Sequence, residues 1–204
     1  MNLLTLEGIH HKFDYPLFSD VNLELNQKES IAITGVSGSG KSTLLHIAST
    51  FLKPHSGKVK ILGLDVYEDS SSMLKIRRND IAIIFQSHYL FNALNAKENL
   101  ELSSIISKKK IDKRLLESLK IDDLINRNIS ELSGGQKQRF SIARALIKKP
   151  KIIFADEPTG NLDHKTASSV MNYLFEYIED NNAVLFLVTH DEKIATKCKY
   201  NLNF

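Results

Sequence analysis

Two hydrophobic rhythms run along the chain, one of period two and one close to the helical period. Near the N-terminus LLTLEGI and FSDVNLELN alternate loosely, which predicts strands of an antiparallel lobe. SIAIT (30–34) is a short β-branched run and predicts a buried strand. KSTLLHIASTFL then puts Leu44, Leu45, Ala48, Phe51 and Leu52 at helical spacing. KPHSG (53–57) carries turn residues, and KVKIL (58–62) and DIAIIF (80–85) predict two further strands.

From about 94 to 148 the rhythm is helical. AKENLELSSII predicts one helix. DKRLLESLKIDDLI predicts a second, with Leu115, Leu116 and Leu119 on one side, and a third starts at Ser133. Alternation of strand and helix then returns. KIIFAD (151–156) reads as a strand, Asp163 to about Glu179 as a helix, AVLFLV (183–188) as a strand, DEKIATKC as a short helix, and the last residues as an extended piece. Strands alternating with helices imply an α/β fold with a mainly parallel sheet covered on both faces. The expected organisation is one domain: a β lobe and loop-bearing core over 1–93, a helical insertion over 94–148, and the rest of the core over 149–204.

Composition narrows the class. With 204 residues, 42% of them hydrophobic, the chain can bury the core of one domain. A net charge of +3 with 25% charged residues gives no support for nucleic-acid binding. The single cysteine, Cys198, has no partner for an internal disulfide and predicts a reducing compartment. MNLLTLEGIHHKF lacks the layout of a secretory signal. The apolar runs IAIIF and AVLFLV are far shorter than the roughly 20 residues of a membrane helix, so any membrane link is expected through a partner. KKKIDKR (108–114) reads as a solvated link between helices, and His10 and His11 as surface residues.

The candidate chemistry lies where strands end. In GVSGSGKST (35–43), Gly35, Gly40, Lys41 and Ser42 fit the phosphate-loop pattern, after a strand and before a helix. Glycines let backbone N–H groups converge on phosphate oxygens. Lys41 would neutralise the β- and γ-phosphates, Ser42 would ligate Mg²⁺, and Val36, Ser37, Gly38, Ser39 and Thr43 lie in the wrapping backbone. Asp156 closes the apolar run of IIFADEP at the carboxyl end of a buried strand, where α/β sheets bind ligands, and is suited to hold Mg²⁺. Glu157, one residue on, can polarise a water for attack on the γ-phosphate. In LSGGQKQR (132–139), Ser133 and Gln136 form a capping box. Gly134 and Gly135 fall in the first turn, where glycine costs about 1 kcal/mol relative to alanine unless a close approach requires it. That is a second helix end suited to an anion. The helical insertion separates it from the phosphate loop. Two copies arranged head to tail, each offering its Ser133 helix to the other's nucleotide, would bring the two together.

Taken in order, GVSGSGKST, FQ (85–86), LSGGQKQR, IIFADEPTGNLD and VTHD (188–191) resemble the ATP-binding-cassette (ABC) ATPases over essentially the whole chain. The resemblance implies a P-loop fold of the ABC type binding ATP and Mg²⁺. It further implies that Gln86 senses Mg²⁺ or the attacking water, that Glu157 is the general base, that Asp163 crosses a dimer, and that His190 contacts the γ-phosphate. An aromatic just after the first strand would stack on adenine; Phe13 is the nearest match and Tyr15 the alternative.

ADEPTGNLD and IRRNDIAIIFQSHYLFNALNAKENLEL resemble one branch of the family, which includes ATPases of lipoprotein release, MacB-type export and FtsE-type cell division. STLLHIAS and FQSHYLFNALNAKENL most resemble the lipoprotein-releasing ATPases. The branch implies a peripheral subunit at the cytoplasmic face of the inner membrane, with Gln86 to Phe91 receiving a helix of a transmembrane permease. KYNLNF stands where family members usually run on through further strand and turn. Repair and chromosome ATPases place long coiled coils between the corresponding glutamine and the LSGGQ stretch, whereas Gln86 and Leu132 are 46 positions apart. Translation-factor types carry two cassettes per chain. A GTPase is disfavoured by the lack of an N-K-x-D stretch.

Overall fold

The computed structural model describes residues 1–68 and 70–204. From the N-terminus the elements are β1 (Asn2–Lys12), β2 (Pro16–Asn26), β3 (Ser30–Thr34), α1 (Lys41–Ala48), β4 (Ser56–Ile61), β5 (Leu64–Asp65), α2 (Ser70–Asn79) and β6 (Ile81–Ile84). They continue with α3 (Ala96–Ser107), α4 (Lys113–Ser118), α5 (Gly134–Leu146), β7 (Ile152–Asp156), α6 (His164–Asn181), β8 (Val184–Val188), α7 (Glu192–Ala195) and β9 (Tyr200–Asn203). Two sheets result. One is antiparallel in the order β2-β1-β4-β5; the other is parallel in the order β6-β7-β8-β3-β9.

Strand alternation sorts the parallel sheet into two faces. Ile31, Ile33, Ile152, Phe154, Val184, Phe186 and Val188 face the antiparallel lobe and α1 in one core. Ile153, Ala155, Leu185 and Leu187 face the opposite way, into a second core with Phe140, Ile142, Leu146, Leu174 and Ile178 of α5 and α6. The predicted sandwich of helices around a parallel sheet, with an antiparallel lobe at its side, is what forms.

Several local expectations shift. The helix after the phosphate loop ends at Ala48, and Phe51 is 66% exposed rather than on its apolar face. Thr50 at φ 68° turns the chain out of the helix. Arg77 of α2 fixes that turn by donating from Nε to Thr50 Oγ1 at 2.8 Å and from its guanidinium to the Thr50 carbonyl. A tertiary donor thus overrides a local repeat. Helix α2 is strongly polar overall, with few apolar residues to mark it, and the sequence reading passed over it. The helix expected over DKRLLESLKIDDLI breaks at Lys120 (φ 53°) into α4 and a 3-10 turn over Asp122–Leu124, while Leu115, Leu116 and Leu119 are buried as expected. Lys108–Lys110 form the exposed link between α3 and α4.

His11 is not a surface residue: it is buried, on the same side of β1 as Ile9. A bulge at Gly8 (φ 57°) resets the alternation, and Ile9 and His11, two apart, then point inward together. His11 Nδ1 meets His55 Nδ1 at 3.1 Å, and burial, with His55 and His10 nearby, lowers its pKa. His10 is half-buried.

β9 is held by more than its pairing with β3. Buried Glu29 accepts from Lys199 Nζ at 2.6 Å, from the Asn26 N–H at 2.7 Å and from Tyr200 Oη at 3.2 Å. Burial works to raise the Glu29 pKa, but these hydrogen bonds outweigh it and leave the carboxyl below its ordinary 4.5. Stability from this group is therefore complete above that value and is lost as pH falls through the lower folded value. Glu29→Gln should lower stability by about 1–3 kcal/mol at neutral pH. The gap from wild type in urea midpoint should narrow as pH drops below 4.5. A gap that is absent, or constant with pH, would refute the assignment.

Candidate active site

Parallel strands deliver their carboxyl ends to one edge, and there the candidate residues meet. β3 runs into the loop of Gly35–Gly40, whose glycines 35, 38 and 40 have φ of 133°, 81° and 100°. At Gly35 a Cβ would lie 2.2 Å from the Phe204 carbonyl oxygen, so only glycine fits between the loop and the residue after β9. Lys41 Nζ donates back across the loop to the Val36 carbonyl at 2.6 Å and lies 3.5 Å from Ser39 Oγ.

Helix α1 starts differently from α3 to α7. Asn95, Asp112, Ser133, Asp163 and Asp191 each cap α3 to α7 with a side chain. α1 opens on Gly40 with no side-chain cap. Its first-turn N–H groups are left for an external acceptor, and the positive end of the helix dipole points the same way.

Asp156 ends β7 opposite Val188 of β8. Its Oδ1 accepts from Ser42 Oγ at 3.2 Å, which places a hydroxyl and a carboxylate side by side. Both are hard oxygen ligands of the kind Mg²⁺ takes, and among the described residues no cluster of three or more His, Cys, Asp or Glu side chains forms an all-protein cage. A site built to share Mg²⁺ with phosphate oxygens fits this donor set. Glu157 stands at φ 46°, an uncommon conformation for a residue other than glycine, and its N–H donates to the Val188 carbonyl at 3.0 Å. That hydrogen bond steers its carboxylate out of the sheet line to His190, whose Nδ1 lies 2.8 Å from Glu157 Oε1. The Glu157 side chain is mostly buried and that of His190 is 74% exposed.

These groups line a cleft of about 510 Å³ with Gln86, Phe13, Tyr15 and Leu17. Phe13 and Tyr15 are 56% and 61% exposed at the tip between β1 and β2, and both border the cleft. Phe13 also packs edge-on against His11, ring centroids 5.0 Å apart.

Residues 18–160 match the family described as ABC transporter. The chain belongs to the ABC transporter family. Lipoprotein-releasing system ATP-binding protein LolD of Shewanella oneidensis is 43% identical over 188 residues, which cover 89% of this chain and 82% of that protein. LolD of Ehrlichia canis is 40% identical over 192 residues, 90% of this chain and 85% of that protein. Among solved structures, the dimeric ABC transporter cassette MJ0796 superposes with a TM-score of 0.88 at 35% identity, covering 98% of this chain and 94% of that one. The dimeric post-hydrolysis state of MJ0796 bound to ADP and Pi gives 0.86 at 34%, covering 97% and 94%.

Within this ABC chain the signature segment stands apart from its own cleft. Ser133 caps α5, accepting from the Gln136 N–H at 3.3 Å, while Gln136 Oε1 accepts from the Ser133 N–H at 2.8 Å. Ser133, Gly134, Gly135 and Gln136 do not line the cleft, and Ser133 and Gly134 are exposed. Asp163 is also outside it. Its carboxylate accepts from the Lys165 and Thr166 N–H groups, and its pKa is lowered by the hydrogen bond with the Thr166 hydroxyl first and by those backbone groups next. Val36 and Ser39 belong to the loop without lining the cleft. The sequence reading missed Gln138, a buried polar side chain on α5. The signal for it was a glutamine in phase with Ile142 and Leu146 on the apolar side of that helix.

Gly35→Ala tests the loop. Strain at φ 133° and the clash with Phe204 should together cost about 1–3 kcal/mol, on the order of 5 °C in Tm, and should weaken ATP binding. A variant that melts and binds like wild type would contradict this geometry.

Proposed function

We propose that this chain is the ATP-hydrolysing subunit of an ABC transporter that powers lipoprotein release from the inner membrane. Two relatives named as ATP-binding proteins of a lipoprotein-releasing system, at 40–43% identity over 82–85% of their lengths, carry the reading. The cleft supports it with a complete set of phosphate-handling groups.

In this reading the first-turn N–H groups of α1 and the Lys41 ammonium hold the β- and γ-phosphates of ATP, and Phe13 stacks on adenine, with Tyr15 beside it. Ser42 and Asp156 would hold Mg²⁺, with Gln86 at the rim, and the bound ion supplies neutralisation of charge on the transferring phosphoryl group. Glu157 accepts the proton of the attacking water. His190, hydrogen-bonded to Glu157, reaches the γ-phosphate from the end of β8. Ser133–Gln136 and Asp163, which lie outside the cleft of their own chain, act on the nucleotide of a second copy in a head-to-tail dimer. The dimeric MJ0796 cassettes support that arrangement. The division into 1–93, 94–148 and 149–204 is then functional, since the middle segment carries the signature end across to the partner.

No helix of the described residues is long and apolar enough to cross a membrane. The membrane is reached through permease subunits, with this chain peripheral on the cytoplasmic face. The docking segment is Gln86 to Phe91. Tyr89 and Phe91 are 65% and 56% exposed and border a groove of about 540 Å³ with Ile106, Arg77 and Arg144. Exposed aromatics beside a groove are a signature of a protein contact.

Glu157→Gln should bind ATP and dimerise as wild type does while turnover falls at least about 100-fold. Near-normal turnover would remove Glu157 from its role. Lys41→Ala should lose ATP affinity in a direct titration, and unchanged binding would sink the phosphate-loop assignment. The transporter reading is tested by affinity purification of the tagged chain from membranes of its own cells. A lipoprotein-releasing permease should come with it; an exporter or cell-division membrane protein in its place would redirect the function.

A further inference from the structure

Gln138 is the fifth residue of α5 and is 1% exposed. A primary amide buried so deeply must find partners for two N–H donors and a carbonyl acceptor. All three are met, by segments far apart in the chain. Nε2 donates to the Phe85 carbonyl at 3.1 Å and to the Pro158 carbonyl at 2.9 Å. Oε1 lies 2.6 Å from His88 Nδ1. Since both amide hydrogens go to carbonyls, Oε1 accepts and His88 Nδ1 carries the proton. The contact therefore holds a proton on His88 Nδ1.

The two carbonyls are not arbitrary. Phe85 supplies the peptide group that leads into Gln86, and Pro158 follows Glu157 directly. Gln86 has a second anchor in its own carbonyl, which accepts from Asn161 Nδ2 at 3.1 Å on the same turn that follows Glu157. One side chain thus sets the spacing between the backbone of Gln86 and that of Glu157. The same side chain sits on a rigid helix whose capped end, Ser133, is about 7 Å away along the axis. Its remaining bond runs to His88, inside the segment that borders the docking groove.

We infer that Gln138 is a positioning residue for ATP hydrolysis, holding Gln86 and Glu157 in register with each other, with His88 and with the Ser133 end of α5. The inference rests on the roles proposed above for Gln86 and Glu157. It does not need Gln138 to touch nucleotide. It differs from a purely structural account of a satisfied buried amide. That account predicts that losing the bonds lowers stability and leaves each folded molecule as active as before. Here, the loss frees the two carbonyls from a common anchor, so turnover falls in molecules that remain folded.

The test compares the full-length chain with Gln138→Met, which keeps the length of the side chain and removes all three hydrogen bonds. Turnover is expressed per folded molecule, using the unfolding curve of the same preparation. The expected result is a fall in kcat of tenfold or more, with the Kd for a non-hydrolysable ATP analogue changed less than about threefold. Equal kcat per folded molecule, or a loss confined to nucleotide affinity, overturns the inference. The wild-type chain supplies a second measurement that needs no variant. Imidazole ¹⁵N shifts should show a proton on His88 Nδ1, and the analogue should shift that resonance. An Nδ1 without a proton, or a resonance blind to nucleotide, overturns the inference equally. Absence of turnover in the wild type would instead count against the ATPase reading, and the His88 measurement would still decide the linkage.

Discussion

The in-register parallel pairing of β7 with β8, from Ile152 against Val184 to Asp156 against Val188, sets the position of every reactive group. Parallel strands point their carboxyl ends the same way, and β3 joins the same sheet on the far side of β8. The phosphate loop leaves β3, Asp156 and Glu157 leave β7, and His190 lies just beyond β8. A slip of one residue between β7 and β8 would turn Ile153 and Ala155 to the wrong core. It would also cut the hydrogen bond from the Glu157 N–H to the Val188 carbonyl. Register is fixed by two apolar cores pressing on opposite faces, so packing energy far from the cleft specifies its geometry.

Helix ends divide the labour within that frame. α3 to α7 satisfy their first turns with their own side chains, and α1 does not. A side-chain cap in place of Gly40 would contribute a few tenths of a kcal/mol of helix stability and would occupy the N–H groups that a phosphate needs. The loop gives up that increment, and the buried residues Leu44, Leu45 and Ile47 of α1 hold the helix in place without it. α5 combines both habits: Ser133 and Gln136 close the box, while Gly134 leaves its side of the first turn open and Gly135 lets the turn pack close to Leu162, 3.3 Å from where a Cβ would sit.

The frame was largely legible in the sequence. β-branched runs ending at Thr34 and Asp156 announced buried strands, and the glycine-rich run between strand and helix announced the loop before α1. The Ser133–Gln136 box was readable from spacing alone. What escaped depended on distant partners. Phe51 kept helical phase with Leu44 and Ala48, yet Arg77, 26 residues later, captures Thr50 and ends the helix early. His11 sat among polar neighbours in HHK, but a bulge at Gly8 turned it inward against His55. Glu157 could be named from its place after Asp156; its left-handed backbone could not, because the conformation is imposed by β8 and by the turn closing on Gly160. Side-chain amides such as Gln138 are the hardest to foresee, since each of their partners lies in a different element.

In the proposed dimer a single copy would hold only part of the full site. The first turn of α5 does not line the cleft of its own chain, and α5 packs against β6 and α3. Buried Gln138 and Phe140 anchor α5 within two turns of Ser133. In the proposed head-to-tail dimer, that rigidity would let the Ser133 end be presented to the nucleotide of a second copy. A flexible loop in the same place would lose conformational entropy at each closure, of order 1–2 kcal/mol per residue ordered. A pre-formed, capped helix end loses little. If two copies close in this way, closure could draw its free energy from nucleotide contacts, and by the proposed role of Gln138 a movement of α5 would move the backbone beside Gln86 and Glu157 in the same copy.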